Sequence, residues 1–157
     1  MILATHALTG AVIGKNIENP LIIIALSLII HFIMDGLRHG EYFDSRVATI
    51  KDTYWKVTLD MSIGLVIIFS AIYFQKFNFA IAINILIGTF TSMFPDLLTV
   101  LYWKFHFPIL GKIKKFHSLA HRYDRFPKYS SERLWTLRNS INDIVISLLA
   151  AILLFAR

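Results

Sequence analysis

The chain has 157 residues, of which 56% are apolar and only 17% charged, and its mean hydropathy is +0.61. Soluble domains carry about 25% charged residues, so this composition excludes an ordinary water-soluble globule and makes lipid the expected solvent of a single domain. The absence of cysteine excludes disulfides, thiolate metal sites and cysteine nucleophiles.

The net charge of +6 is read as the Lys and Arg bias that orients membrane segments, with no nucleic-acid partner expected. The opening residues from Met1 to His6 lack the basic stretch of a secretory signal and are read as retained. Residues 2–14 are apolar and helix-like but too short to cross a bilayer, which needs about 20 mostly apolar residues per helix. They are expected to form a half-helix that enters one leaflet and packs through Gly10 and Gly14. Residues 20–38 follow as the first full span, opened by Asn19-Pro20 with proline in the first turn. Residues 54–75 give the second span, 77–104 the third, interrupted at Pro95, and 136–156 the fourth. The predicted fold is therefore all-α, a polytopic transmembrane bundle of four full spans plus a short N-terminal half-helix, over 1–157.

Two hydrophilic connections, 38–56 and 104–138, hold thirteen of the sixteen basic residues. Two spans separate them, so both fall on one side, which the positive-inside rule makes cytoplasmic in the cell (inner) membrane. On this topology His6, His31, Asp35, Asp60, Asp96, Asn139 and Asp143 come to a common depth near that side. Within each helix, spacings of three and four keep the polar residues on one face. An acidic residue at mid-membrane costs about 2.5–3.5 kcal/mol, so the cluster calls for neutralisation by basic side chains or by a divalent metal.

Two spacings have metal-ligand form, His31-x-x-x-Asp35 and His117-x-x-x-His121, each placing two ligands on one helical turn. With His6 and Asp96 they supply nitrogens and carboxylates suited to zinc, manganese or iron in one or two sites. His39 and Glu41 are read as solvated loop residues and His106 as an interfacial anchor. Trp55, Tyr102, Trp103 and Trp135 read as belt residues. The run from Lys112 to Lys115 is read as topogenic or as a seat for an anionic headgroup.

These motifs resemble small bacterial inner-membrane proteins classed as predicted membrane-bound metal-dependent hydrolases. The matching residues are Thr5-His6 with Gly10, His31 with Asp35, Pro95-Asp96, and His117, His121 and Arg122, so the resemblance runs from the N-terminus to about Arg122. Pro95-Asp96 is followed by Leu97-Leu98, where members of that family often carry a second acid. The resemblance implies a hydrolase acting on a phosphoester or lipid headgroup at the cytoplasmic membrane surface. In that reading His6, His31, Asp35, Asp96, His117 and His121 hold a divalent metal, zinc or manganese. Asp60 or Asp143 acts as general base or orients a histidine, and Arg122 stabilises phosphoryl charge. The alternative is non-catalytic: the same seam serves as packing glue in a scaffold or as an ion or proton relay in a small transporter. A relay should continue across the membrane, and beyond Asn84 and Ser147 the spans hold little ionisable chemistry.

Overall fold

Asn19, Asn78 and Thr136 each accept a backbone N–H in the first turn of the helix that follows, from Leu21, Ile81 and Asn139 respectively, and Pro20 stands at the start of its helix. Three helix starts are thus encoded by capping side chains that satisfy otherwise orphaned amides. The computed structural model describes residues 1–40, 50–121, 126, 130–132 and 134–156, with side chains in the helix from Ile50 described from Thr53 onward. Among the described residues the regular structure is six helices: α1 (Leu3–Asn16), α2 (Pro20–Gly36), α3 (Ile50–Gln75), α4 (Phe79–Phe105), α5 (Pro108–Ala120) and α6 (Leu137–Phe155).

Among the described residues three segments are long and apolar enough to cross a membrane, Thr53–Gln75 of α3, Phe79–Phe105 of α4 and Leu137–Phe155 of α6, one fewer than the four expected from the sequence. Their flanks expose Val66, Phe69, Phe90, Phe94, Leu148 and Ile152, as lipid-facing surfaces do. The segment that falls short is α2, whose 17 residues rise only about 25 Å at ~1.5 Å per residue. It stops at Gly36, where Leu37 turns extended with its N–H on the Met34 carbonyl at 3.0 Å, and Asp35 in its last turn meets His6 of α1 and His117 of the segment after α4. The hydrophobic run continues one residue further, to Leu37, which hid this boundary.

Pro95 does not interrupt α4, which continues through it to Phe105. Pro95 lacks the N–H that would bond the Thr91 carbonyl, a loss that membrane helices tolerate; one turn further on, Thr99 Oγ1 donates to the Pro95 carbonyl. The second hydrophilic connection also differs from expectation, because it contains the helix α5. His106 ends α4 in the left-handed conformation at φ 55°, with its N–H bonded to the Tyr102 carbonyl at 2.8 Å, so it is the turn residue that closes the helix. Pro108 then starts α5, which returns beside α4 as a helical hairpin. Gly111 rests on the Tyr102 ring, where a Cβ would lie 3.1 Å from Cε2.

The half-helix α1 is the hub of the bundle, packing most extensively on α4 and also touching α2, α3 and α6. Its contact with α4 requires glycine on both sides. A Cβ on Gly10 would overlap the Gly88 carbonyl, and one on Gly88 would overlap the Gly10 carbonyl, so the two backbones touch, as small residues permit in membranes. Gly14 stands in the same relation to Asn84. Around this seam Ala7, Leu8, Ala11, Ile68, Ile85 and Leu154 form the apolar core. At the far end Lys15 donates to the Leu153 carbonyl at 2.8 Å and Gln75 to the Phe155 carbonyl at 2.9 Å. The N-terminus of α1 points the other way, toward Asp60, Asp143 and Asp35.

Candidate metal centre

Asp35 is fully buried and is the centre of the site. Its Oδ2 lies 3.1 Å from His31 Nε2, 2.9 Å from His117 Nε2 and 3.1 Å from His121 Nε2. Its Oδ1 faces His6 Nε2 at 3.1 Å and the amino nitrogen of Met1 at 2.8 Å. The imidazoles also crowd one another: His31 Nε2 is 3.1 Å from His117 Nε2, which is 3.2 Å from His121 Nε2. Asp96, on α4, brings Oδ1 to 3.6 Å from His117 Nε2, while its Oδ2 is buried without a hydrogen-bond partner.

The hydrogen bonds on the opposite ring nitrogens fix which atom faces inward. His31 Nδ1 lies 2.7 Å from the Ser92 carbonyl, an acceptor only, so Nδ1 carries the proton and Nε2 presents its lone pair. His117 Nδ1 lies 2.9 Å from Thr99 Oγ1, whose own proton goes to the Pro95 carbonyl at 3.2 Å. Nδ1 of His117 therefore donates as well, and its Nε2 is also an inward lone pair. Two neutral imidazoles with lone pairs 3.1 Å apart beside a carboxylate repel unless a cation, whether a proton or a metal ion, sits among them. Ligand atoms bound to one tetrahedral ion at bond lengths near 2.0–2.1 Å are themselves separated by about 3.3 Å, close to the separations found here. Histidine ligands typically donate their other N–H to a carbonyl or similar acceptor, as both rings do.

Among the described residues two groups have ligand atoms that all lie within 4.8 Å of one another: His31, Asp35, Asp96 and His117, and Asp35, His39 and His121. The buried His/Asp cluster can thus hold a metal ion. The chain delivers it from four places: α2 supplies His31 and Asp35, the loop after it His39, α4 Asp96, and the α5 return His117 and His121. Asp96 lies about 13 Å inside the end of α4, nine residues at ~1.5 Å each, so the hairpin is what carries His117 down to that level.

Of the expected ligands, His31, Asp35, Asp96 and His117 converge, and His121 joins them through Asp35 and His117. His6, also fully buried, reaches the centre through Asp35 Oδ1 and belongs to neither convergent group. Asp60 and Asp143, expected near the chemistry, meet the backbone at the start of α1. Asp60 accepts from the Leu3 and Ala4 amides at 2.7 and 3.3 Å, and Asp143 from the Ile2 amide at 3.1 Å. Carboxylates there satisfy the orphaned N–H groups of the first turn and complement its dipole, so they position α1 and the His6 it carries. Arg122 and Glu41 lie outside the described residues.

His39 corrects the sequence reading, which had it in a solvated loop. It is 1% exposed, its Nδ1 donates to the Leu37 carbonyl at 3.0 Å, and burial holds its imidazole far below the usual pKa, hence neutral. The loop that carries it is pinned to α6. Asn142 donates to the Arg38 carbonyl at 2.7 Å, and Gly40 sits so close to Trp135 and Ser140 that a Cβ would stand 2.5 Å from Ser140 Oγ. A signal was present in the sequence, since His31, Asp35 and His39 repeat at intervals of four.

No protein-family model, curated protein or solved structure matches this chain. Its class therefore rests on its own architecture: an all-helical chain with three helices able to cross a membrane and a buried His/Asp cluster able to hold a metal ion.

Proposed function

We propose that the protein is an integral membrane, metal-dependent hydrolase of the cell (inner) membrane that acts on a phosphoester or lipid headgroup at the cytoplasmic surface. The observation that carries this reading is the convergence of His31, Asp35, Asp96 and His117, with two imidazoles turned inward by hydrogen bonds from behind. The mixed imidazole and carboxylate set suits zinc or manganese. When bound, such an ion supplies Lewis acidity toward a phosphoryl oxygen and acidifies water. The chain's own residues do the rest. Asp35 and Asp96 hold negative charge at the ion's seat, Ser92 and Thr99 fix the ligand rings, and His6 holds Asp35 from its other oxygen. Arg122, adjacent to His121 in sequence, is assigned the phosphoryl charge.

The surface location is supported by α5, which exposes Ile109, Phe116 and Leu119 together with Lys112 and Lys115. A helix exposing apolar side chains interleaved with lysines suits the headgroup region, where anionic phosphates meet the lysines. The test is metal analysis of the purified protein beside its Asp35→Ala and His117→Ala variants, with hydrolysis of a phosphomonoester and of anionic phospholipid vesicles followed in parallel. The reading expects metal in the wild type, little in either variant, and hydrolysis that tracks metal content. A wild type that retains no zinc or manganese when supplied with them sinks it.

A further inference from the structure

The quartet of His31, Asp35, Asp96 and His117 already supplies enough ligand atoms for one ion, yet two more imidazoles stand beside it. His121 Nε2 lies 3.1 Å from Asp35 Oδ2, and the His39 ring faces the His121 ring at 5.5 Å between centroids. The ligand atoms of Asp35, His39 and His121 lie within 4.8 Å of one another. His39 is turned by its Nδ1–H bond to Leu37, so its Nε2 is the lone-pair side. His39 lies in the interior, 1% exposed, although it stands beyond the end of α2. The loop is held there by Asn142 and by the tight contact at Gly40.

From this geometry we infer that the protein carries a second divalent cation, held by Asp35, His39 and His121, with the Asp35 carboxylate bridging it to the first. The inference rests on the hydrolase reading for its first ion and extends it to a dinuclear centre, in which two ions about 3.5–4 Å apart clamp one phosphoryl group. Charge identifies the substrate class. A second dication adds two positive charges to a centre that holds two carboxylates and the Met1 amino group, and the ions' own charge governs what binds. A positive, buried centre at the headgroup level suits a dianionic phosphomonoester better than a diester.

The decisive experiment counts ions. The 157-residue chain, purified in detergent and stripped with a chelator, is titrated with Zn²⁺ alone, and the ions surviving buffer exchange are counted. The same is done for His39→Gln and His121→Gln, with crystals of the Zn²⁺-loaded wild type examined by anomalous scattering. The expected result is two ions per wild-type chain, one in each variant, and two anomalous peaks sharing Asp35. One ion per wild-type chain overturns the inference and leaves the hydrolase reading standing, as do two ions that persist in both variants. No ion in the wild type overturns both. The wild-type count and the anomalous map need no variant to fold.

Discussion

Thr99 stands behind His117, its Oγ1 2.9 Å from Nδ1 and itself bonded to the Pro95 carbonyl one turn earlier. The threonine therefore aims the ring while its own hydroxyl is fixed by the backbone that proline shapes. Thr99→Val keeps the volume and removes the acceptor, so the His117 ring is free to rotate. Metal affinity is expected to fall about 10–100-fold, the usual cost of losing an outer-shell partner, while stability changes by only about 1 kcal/mol. Thr99→Ser should retain most of the affinity. Competition against a chelating dye measures both, and a Thr99→Val protein with wild-type affinity would show that the hydrogen bond does not orient the ligand.

Asp35 is the one carboxylate that touches His6, His31, His117 and His121. Removing one partner of a buried ion pair costs about 3–5 kcal/mol because the other is left uncompensated. Asp35→Ala is thus expected to lose both the bound metal and thermal stability, whereas His121→Ala should lose far less stability, since its ring is partly exposed. Thermal melts of helical circular dichroism in detergent, run with and without chelator, separate the two effects. An Asp35→Ala melt equal to that of the wild type would remove this residue from the centre of the site.

The contact between α1 and α4 gives a prediction independent of any metal. Gly10→Ala places a methyl group on the Gly88 carbonyl, and the helices must part, at about 1–3 kcal/mol for overpacking. Gly36→Ala is the control. The nearest atom to its added Cβ is the Ala120 carbonyl oxygen at 3.8 Å, an ordinary contact, so stability should be unchanged or slightly raised. If the two variants melt alike, the close approach of Gly10 to Gly88 is not what seats α1.

Five of the six helices and most of the convergent His and Asp side chains were legible in the sequence because both obey short-range rules. Apolar length announced α3, α4 and α6, the Asn19-Pro20 pair announced α2, and intervals of four announced His31 with Asp35 and His117 with His121. What was not legible depends on the path of the chain in space. The end of α2 is a change to extended backbone at Leu37, itself still apolar. The return of α5 beside α4 depends on a left-handed turn at His106, a residue type that gives little warning of it. Burial of His39 follows from a loop held down by Asn142, more than a hundred residues away in the chain. Asp60 and Asp143 were grouped with the chemistry by depth alone, and depth does not distinguish a base from a helix cap.

That distinction can be tested at Asp60. Its two oxygens accept the Leu3 and Ala4 amides, the position at which capping side chains contribute about 0.5–2 kcal/mol. Asparagine preserves a carbonyl acceptor and the shape but removes the basicity; alanine removes both. A positioning role for Asp60 predicts that Asp60→Asn keeps its metal, most of its stability and its hydrolytic rate, while Asp60→Ala melts earlier and loses activity through displacement of α1 and His6. A general base predicts the reverse signature, an Asp60→Asn protein that is folded and loaded with metal yet slower by about 10²–10⁴-fold. Because each of its oxygens accepts an amide of the first turn of α1, the first pattern is expected. Metal content, melting temperature and turnover measured on the same three proteins decide between them, and a loaded, stable but inactive Asp60→Asn variant returns Asp60 to the catalytic set.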